Sequence, residues 1–129
     1  MAYRLERNPD DRKVLNDKGK LQLSEAVESE GISISFRSDE HAEYFLLKHK
    51  TGIMVVMEIS ERAYGEIQNK LSNGNAKVGG KKLTRPSPCS DSVMSKLSIR
   101  SSDVLTFSGD WKDYLESNMQ VCSIQTYEK

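Results

Sequence analysis

The clearest pattern of hydrophobic and polar positions in the chain is a short strand that leads directly into a helix. Ile32, Ile34 and Phe36 alternate with Ser33 and Ser35. This period of two predicts a strand with one apolar face and one face that carries two hydroxyls. The same pattern fits a ligand site and an ordinary half-exposed strand.

The helix after this strand is predicted to begin at Ser38, because serine is a good N-cap residue. Ala42, Phe45, Leu46 and His49 then recur at helical spacing and define one face. His41 and His49 share that helix, but eight residues separate them by about 12 Å, which is too far for joint metal ligation. Either histidine remains a candidate general base.

Strands and helices are also predicted along the rest of the chain. Strands are predicted near residues 2–5, 53–59, 104–107 and 119–127, and helices from Ser60 and near residues 91–97 and 111–115. Gly79-Gly80 predicts a two-residue hairpin turn. This order predicts an α+β fold with a mixed or antiparallel sheet and peripheral helices.

The segment that follows the first strand is predicted to be a helix. Asn8 is a suitable cap, Pro9 suits the first helical position and two acidic residues follow. Val14 and Leu15 are then expected to face inward, and Gly19 to end the helix. Residues 20–30 lack a clear period and are predicted to form a loop with at most one helical turn.

Composition narrows the class of protein. The chain has 129 residues, of which 36% are hydrophobic and 29% are charged, so one soluble domain over residues 1–129 is expected. The 19 basic and 19 acidic residues cancel, which argues against non-specific nucleic-acid binding. No apolar run approaches the ~20 residues of a membrane helix, and the charged start predicts no signal peptide.

Two cysteines, Cys89 and Cys122, are expected to carry free thiols, although one disulfide remains open. Neither has a partner at metal-ligand spacing, so no structural zinc is expected. Cys89 lies among prolines and serines with no base near it in sequence, and it is not predicted to be a nucleophile.

Arg4 and the two serines are the first candidates for chemistry. A first-strand Tyr3-Arg4, the strand 31–35 with Ser33 and Ser35, a helix and the apolar strand 53–59 together resemble the N-terminal part of ADP-ribosyltransferase toxins. The similarity is to the arginine–serine–glutamate branch of that family. It covers roughly the first half of the chain, and it implies an ADP-ribosyltransferase-like fold.

The resemblance implies that NAD is the substrate. Arg4 would contact its phosphate and ribose, and Ser33 or Ser35 would orient the nicotinamide ribose. Phe36 and Phe45 complete the expected NAD-binding set. These roles are chemically sensible, because arginine is a fork-shaped phosphate binder.

The family places a glutamate on a late strand, where a carboxylate stabilises charge that develops on the ribose. Residues 75–113 contain no glutamate. The candidates are Glu128 near the closing strand, Asp110 and Glu58. Glu128 is assigned as catalytic together with Arg4 and Ser33. None of them stands in the family's motif.

The resemblance also implies a biological setting. The domain would be a monomeric toxin or effector domain that modifies a protein or nucleic-acid target, with a cognate immunity protein as a second partner. Its site of action would be cytoplasmic, with delivery as part of a larger secreted toxin. No membrane partner is expected.

Two other functions fit the residue types. A metal-independent ribonuclease toxin would use His41 as a base and the basic hairpin, Lys77, Lys81, Lys82 and Arg85, to hold the phosphate. A non-enzymatic immunity or adaptor protein would use its sheet to bind a partner. In that case Arg4 and the serines would be structural.

Overall fold

A computed structural model describes residues 1–6, 12–17, 20–50, 52–90 and 92–126 of the chain. Within these residues the protein is a single α+β domain. The strands are β1 (Ala2–Glu6), β2 (Val14–Asp17), β3 (Lys20–Leu23), β4 (Ile32–Phe36), β5 (Ile53–Ile59), β6 (Ser87–Pro88), β7 (Val104–Phe107) and β8 (Met119–Thr126). The α-helices are α1 (Ala26–Glu30), α2 (Glu40–His49), α3 (Glu61–Ser72) and α4 (Lys112–Asn118). Short 3₁₀ turns cover Ser92–Lys96, Ser101–Asp103 and Gly109–Trp111.

Six of these strands form one sheet in the order β6-β7-β4-β1-β5-β8, and β2 and β3 form a separate hairpin. Every strand pairing in the described parts of the chain is antiparallel. The prediction of an α+β fold with an antiparallel sheet is therefore confirmed. The two strands that carry Arg4 and the serines, β1 and β4, are neighbours at the centre of the sheet.

The larger hydrophobic core lies on one face of the sheet. Strand residues that point to this face pack against α1, α3, α4 and the β2–β3 hairpin. Val27, Ile67 and Leu115 from the three helices are completely buried there. Burial of each such side chain contributes roughly 1.5–3 kcal/mol of hydrophobic free energy, so this face supplies most of the stability of the domain.

The opposite face of the sheet is covered by α2. Ala42 and Leu46 of this helix pack on Met54 of β5, and Tyr3 and Leu5 of β1 complete the cluster. This second core is small, so part of the sheet beside α2 stays accessible. The polar face of β4 lies on this side.

Several local predictions are confirmed by the structure. All residues of the apolar run 53–57 are buried, as expected for a strand covered on both faces. Ser60 caps α3, where its hydroxyl accepts a hydrogen bond from the Ala63 amide at 3.1 Å. Val78 and Lys81 form a bridge around the predicted glycine turn.

The predicted helix over residues 8–19 is wrong where the structure describes it. The cap at Asn8 and the stop at Gly19 lie outside the described residues, but Val14–Asp17 is strand β2. Val14 is buried and Leu15 is 42% exposed, which is the alternation of a strand and not a helical face. The predicted loop at residues 20–30 is wrong at Lys20–Leu23, which is strand β3, whereas the helical turn that the prediction allowed is found as the five-residue helix α1.

Two glycines mark where segments approach each other closely. Gly31 has φ 75°, and a Cβ there would lie 2.4 Å from the Phe107 carbonyl oxygen. At Gly109 a Cβ would lie 2.0 Å from the Glu28 carbonyl oxygen. Both contacts join the α1–β4 region to β7 and the turn after it.

In the described parts of the chain no helix is long and apolar enough to cross a membrane.

Candidate functional site

The sheet opens between β1 and β4. These two strands pair at Ala2↔Phe36 and Tyr3↔Ser35 and then diverge. Each keeps its full ladder with its other neighbour, β1 with β5 and β4 with β7. No further pair joins β1 and β4 among the described residues.

Arg4 lies where the two strands separate. Its Nη1 donates to the Ser33 carbonyl oxygen across the opening at 2.8 Å, and its Nε donates to Glu6 Oε1 at 3.0 Å. The Arg4 side chain is 15% exposed and that of Glu6 is 3% exposed. Glu6 Oε1 also accepts from the Val14 amide at 3.0 Å. The guanidinium is thus fixed in orientation, and it has five N–H donors, more than these two bonds use.

A cleft of about 230 Å³ lies over this opening. Its lining residues come from β1, β4, α2 and β7, and they are Tyr3, Arg4, Leu5, Ser33, Ser35, His41, Ala42, Phe45 and Val104. Ser33 Oγ shares a 2.8 Å hydrogen bond with Thr106 Oγ1 of β7, whereas Ser35 is 4% exposed. The cleft therefore combines two strand hydroxyls with an apolar and aromatic wall. Arg4 alternates with Tyr3 and Leu5 along β1, so its side chain starts on the hairpin face and borders the cleft at the opening between the strands.

The first two turns of α2 form the wall opposite the serines. Ala42 and Leu46 anchor the helix to the sheet, which turns Phe45 and His41 toward the cleft. The Phe45 ring meets the His41 ring edge to face, with centroids 5.1 Å apart, and stacks on His49 at 6.0 Å. The α2 wall of the cleft therefore carries the Phe45 and His41 rings.

Of the six residues assigned from the sequence, four line this cleft: Arg4, Ser33, Ser35 and Phe45. Phe36 does not. It is fully buried on the opposite face, where its ring packs against Phe107 with centroids 6.0 Å apart. The reason is the alternation of side chains along β4, which separates Phe36 from the serines.

The structure brings no candidate carboxylate to the cleft among the residues it describes. Glu128 lies outside those residues. Asp110 accepts hydrogen bonds from the amide and hydroxyl of Thr84, at 2.7 and 2.8 Å, beside a different depression. Glu58 lies on the exposed end of β5, also away from the cleft.

The basic hairpin and His41 are not brought together. Gly79 and Lys81 line a depression with Tyr114 of α4, whereas His41 lines the cleft beside Arg4. Among the described residues, His41 and the basic hairpin therefore border different depressions.

One contact at this cleft was not predicted from the sequence. Cys89 Sγ lies 3.8 Å from His41 Nε2, so the cysteine does have a neighbouring base. The two residues are 48 positions apart, and no local pattern links them. Neither Cys89 nor Cys122 forms a disulfide, as expected.

Comparisons with known proteins add no functional assignment. No family model matches the chain, and no curated protein or solved structure matches it at a significant level. In the described part of the chain, no group of three or more His, Cys, Asp or Glu side chains could hold a metal ion. The cleft is therefore the feature on which a functional assignment depends.

Proposed function

We propose that this chain is an ADP-ribosyltransferase-like domain that binds NAD in the Arg4 cleft. The observation that carries the proposal is the convergence of Arg4, Ser33, Ser35 and Phe45, which were assigned from sequence, on one opening in the sheet. These residues come from three separate elements.

Arg4 supplies the anion-binding group. Its guanidinium is held by Glu6 and by the Ser33 carbonyl, so it is already oriented before a ligand binds. A preorganised guanidinium loses less conformational entropy on binding a phosphate than a mobile side chain does. A pyrophosphate at the mouth of the cleft would therefore meet an oriented cation.

The cleft suits one half of a dinucleotide. Its volume of about 230 Å³ is below the ~300–1,000 Å³ of typical small-molecule pockets. The nicotinamide and its ribose would occupy the cleft, with Ser33 and Ser35 near the ribose and the Phe45 ring beside the base. The rest of the NAD molecule would extend over the surface.

Transfer of ADP-ribose needs a carboxylate that stabilises the positive charge developing on the ribose. Glu128 keeps this role in the proposal, and the resemblance supplies the rest of the setting. The target would be a protein or a nucleic acid in the cytoplasm of the attacked cell. The domain would be delivered within a larger secreted toxin and would be neutralised by an immunity protein.

The test is a titration of isotopically labelled protein with NAD, followed by amide NMR. We expect saturable shifts at residues 3–5, 33–35 and 41–45, and no comparable shifts at the basic hairpin. The same sample is assayed for nicotinamide release and for transfer of label from NAD to a bacterial lysate. Glu128→Gln should keep the NMR shifts and lose both activities.

Variants at Arg4 test whether its guanidinium is needed for NAD binding. Arg4→Met is made in a Glu6→Gln background, so that no buried carboxylate loses its partner, and it should abolish NAD binding. Arg62→Ala is the matched control, because Arg62 is an arginine on the exposed surface of α3 with a side chain 88% exposed. If NAD causes no saturable shifts, the proposal is wrong, and partner binding without turnover becomes the function to test.

A further inference from the structure

A second chemical group lies at the edge of the Arg4 cleft and is not used by the proposed function. Cys89 Sγ and His41 Nε2 are 3.8 Å apart, and His41 lines the cleft. Cys89 as a residue is partly buried, and it contacts the cleft through His41. A thiol next to an imidazole is the arrangement that generates a reactive thiolate.

The backbone fixes the sulfur in this place. Cys89 follows the short strand β6, and its amide donates to the Val104 carbonyl at 2.8 Å and to the Ser101 carbonyl at 3.3 Å. Val104 is itself a wall residue of the cleft. The cysteine is therefore attached to the sheet next to the site and does not lie at the tip of a loose loop.

Cys122 provides a comparison within the same chain. It is exposed on strand β8, and its sulfur lies 3.9 Å from Glu58 Oε2. One neighbour of the Cys122 sulfur is thus an acid, whereas one neighbour of the Cys89 sulfur is a base. If exposure alone governed thiol reactivity, Cys122 would react faster. If the imidazole governs it, the order is reversed.

We propose that Cys89 and His41 form a thiol modification site at the edge of the Arg4 cleft that accepts low-molecular-weight disulfides. His41 takes the thiol proton, and the Cys89 thiolate attacks one sulfur of the disulfide. The sulfur–sulfur bond of the reagent breaks, a mixed disulfide forms on Cys89 and the other half leaves as a thiolate, which is reprotonated. The inference does not depend on NAD binding.

The test measures the rate of thiol–disulfide exchange with dithiodipyridine. This neutral reagent is chosen so that nearby charges do not attract or repel it. Cys122→Ser leaves Cys89 as the reacting thiol, and Cys89→Ser leaves Cys122. We expect the Cys89 thiol to react at least about tenfold faster than the Cys122 thiol at neutral pH.

A histidine variant tests whether the His41 imidazole, and not the rest of the surroundings, sets the reaction rate of Cys89. In the Cys122→Ser background, His41→Gln should slow the reaction of Cys89 about tenfold. His49→Gln is the matched control, since it removes an imidazole from the same helix, and it should leave the rate unchanged. Thermal unfolding confirms that each variant is folded.

Two results would overturn the inference. One is a Cys89 rate equal to or below that of Cys122, which would mean that exposure governs reactivity. The other is an unchanged Cys89 rate in a folded His41→Gln variant. If His41→Gln does not fold, the comparison of the two cysteines with His41 in place decides the question alone.

Discussion

Replacing Arg4 should destabilise the fold through the carboxylate that it leaves behind. Arg4→Met keeps the aliphatic stem and removes the guanidinium. Glu6, whose side chain is 3% exposed, would then lose the charged donor that lies 3.0 Å from its Oε1. It would keep the hydrogen bond from the Val14 amide. A buried carboxylate with one neutral donor is poorly compensated for the loss of water.

The size of the effect can be estimated from the burial of the pair. Removing one partner of a buried ion pair typically costs 3–5 kcal/mol. Arg4 keeps 15% of its surface exposed, and the Val14 amide remains bonded to Glu6. We therefore expect a loss at or just below the lower limit of that range, about 2–3 kcal/mol for Arg4→Met.

Glu6→Gln separates the charge from the shape of the side chain. A neutral amide at this position still accepts from Val14 and needs no cation. The double variant Arg4→Met/Glu6→Gln should therefore lie within about 1 kcal/mol of Glu6→Gln alone, which gives a coupling energy of about 1–2 kcal/mol for the pair.

Urea unfolding at neutral pH is the assay. With a slope of about 1.5–2 kcal/mol per molar urea for a domain of this size, Arg4→Met should lower the midpoint by about 1–2 M. A shift of less than about 0.3 M, or a loss from Arg4→Met that is as large in the Glu6→Gln background as in the unmodified chain, would refute the reasoning. Because Arg4→Met alone destabilises the fold, a drop in NAD binding by this variant would not show that Arg4 contacts NAD. The Glu6→Gln background is needed for that purpose.

Two further predictions concern packing and pH. Gly65→Ala should raise the free energy of unfolding by about 0.5–1 kcal/mol, because a Cβ in this helix interior meets nothing within 4 Å. Gly109→Ala should lower it by about 3 kcal/mol, because its Cβ would collide with the Glu28 carbonyl. Calorimetric melting midpoints of the two variants that moved in the same direction would contradict this. Burial, and then the hydrogen bond to Glu66, raises the pKa of Tyr114 above its usual value. Its ionisation is therefore disfavoured in the folded state, and the stability this residue contributes is complete below about pH 10 and falls as pH rises further. The melting temperature should drop more steeply above pH 10 for the unmodified chain than for Tyr114→Phe, and parallel curves would count against the argument.

The strands and long helices could be predicted because their signals are local. The alternation of Ile34 with Ser33 and Ser35, and the serine cap before α3, are each contained within a few residues. Tertiary packing agrees with these local preferences, so the expected and observed elements coincide.

The β2–β3 hairpin could not be predicted in the same way. The proline and acidic residues before Val14 are genuine helix-start signals, and the local pattern of residues 14–23 is short. In the structure this segment is a hairpin whose position depends on distant groups. The Val14 amide bonds to Glu6, and the Leu23 amide bonds to Glu116 of α4 at 2.9 Å. Such contacts across the chain override local propensity.

The candidate site could be predicted only in part, because some of its contacts also depend on distant segments of the chain. Sequence patterns identify Arg4 and the serines as polar groups on strands, and the resemblance groups them into one site. The pairing of Cys89 with His41 depends on β6 joining the edge of the sheet, which no local pattern indicates. Phe36 is the reverse case, because the sequence does carry the signal. Its alternation with the serines indicates that it faces the other side of β4.

The position of Arg4 links the cleft to the hairpin. Its Nη1 bonds to the Ser33 carbonyl oxygen at the point where β1 and β4 separate, so a side chain satisfies an acceptor that the neighbouring strand does not reach. Its Nε bonds to the same carboxylate oxygen that holds the Val14 amide. A ligand that moves the guanidinium away from Glu6 and into the cleft would therefore weaken the contacts that hold the hairpin. A ligand that binds Arg4 in its present position would strengthen them. The hairpin amides are thus a sensitive place to see how the cleft is occupied, although they lie on the opposite face of the sheet.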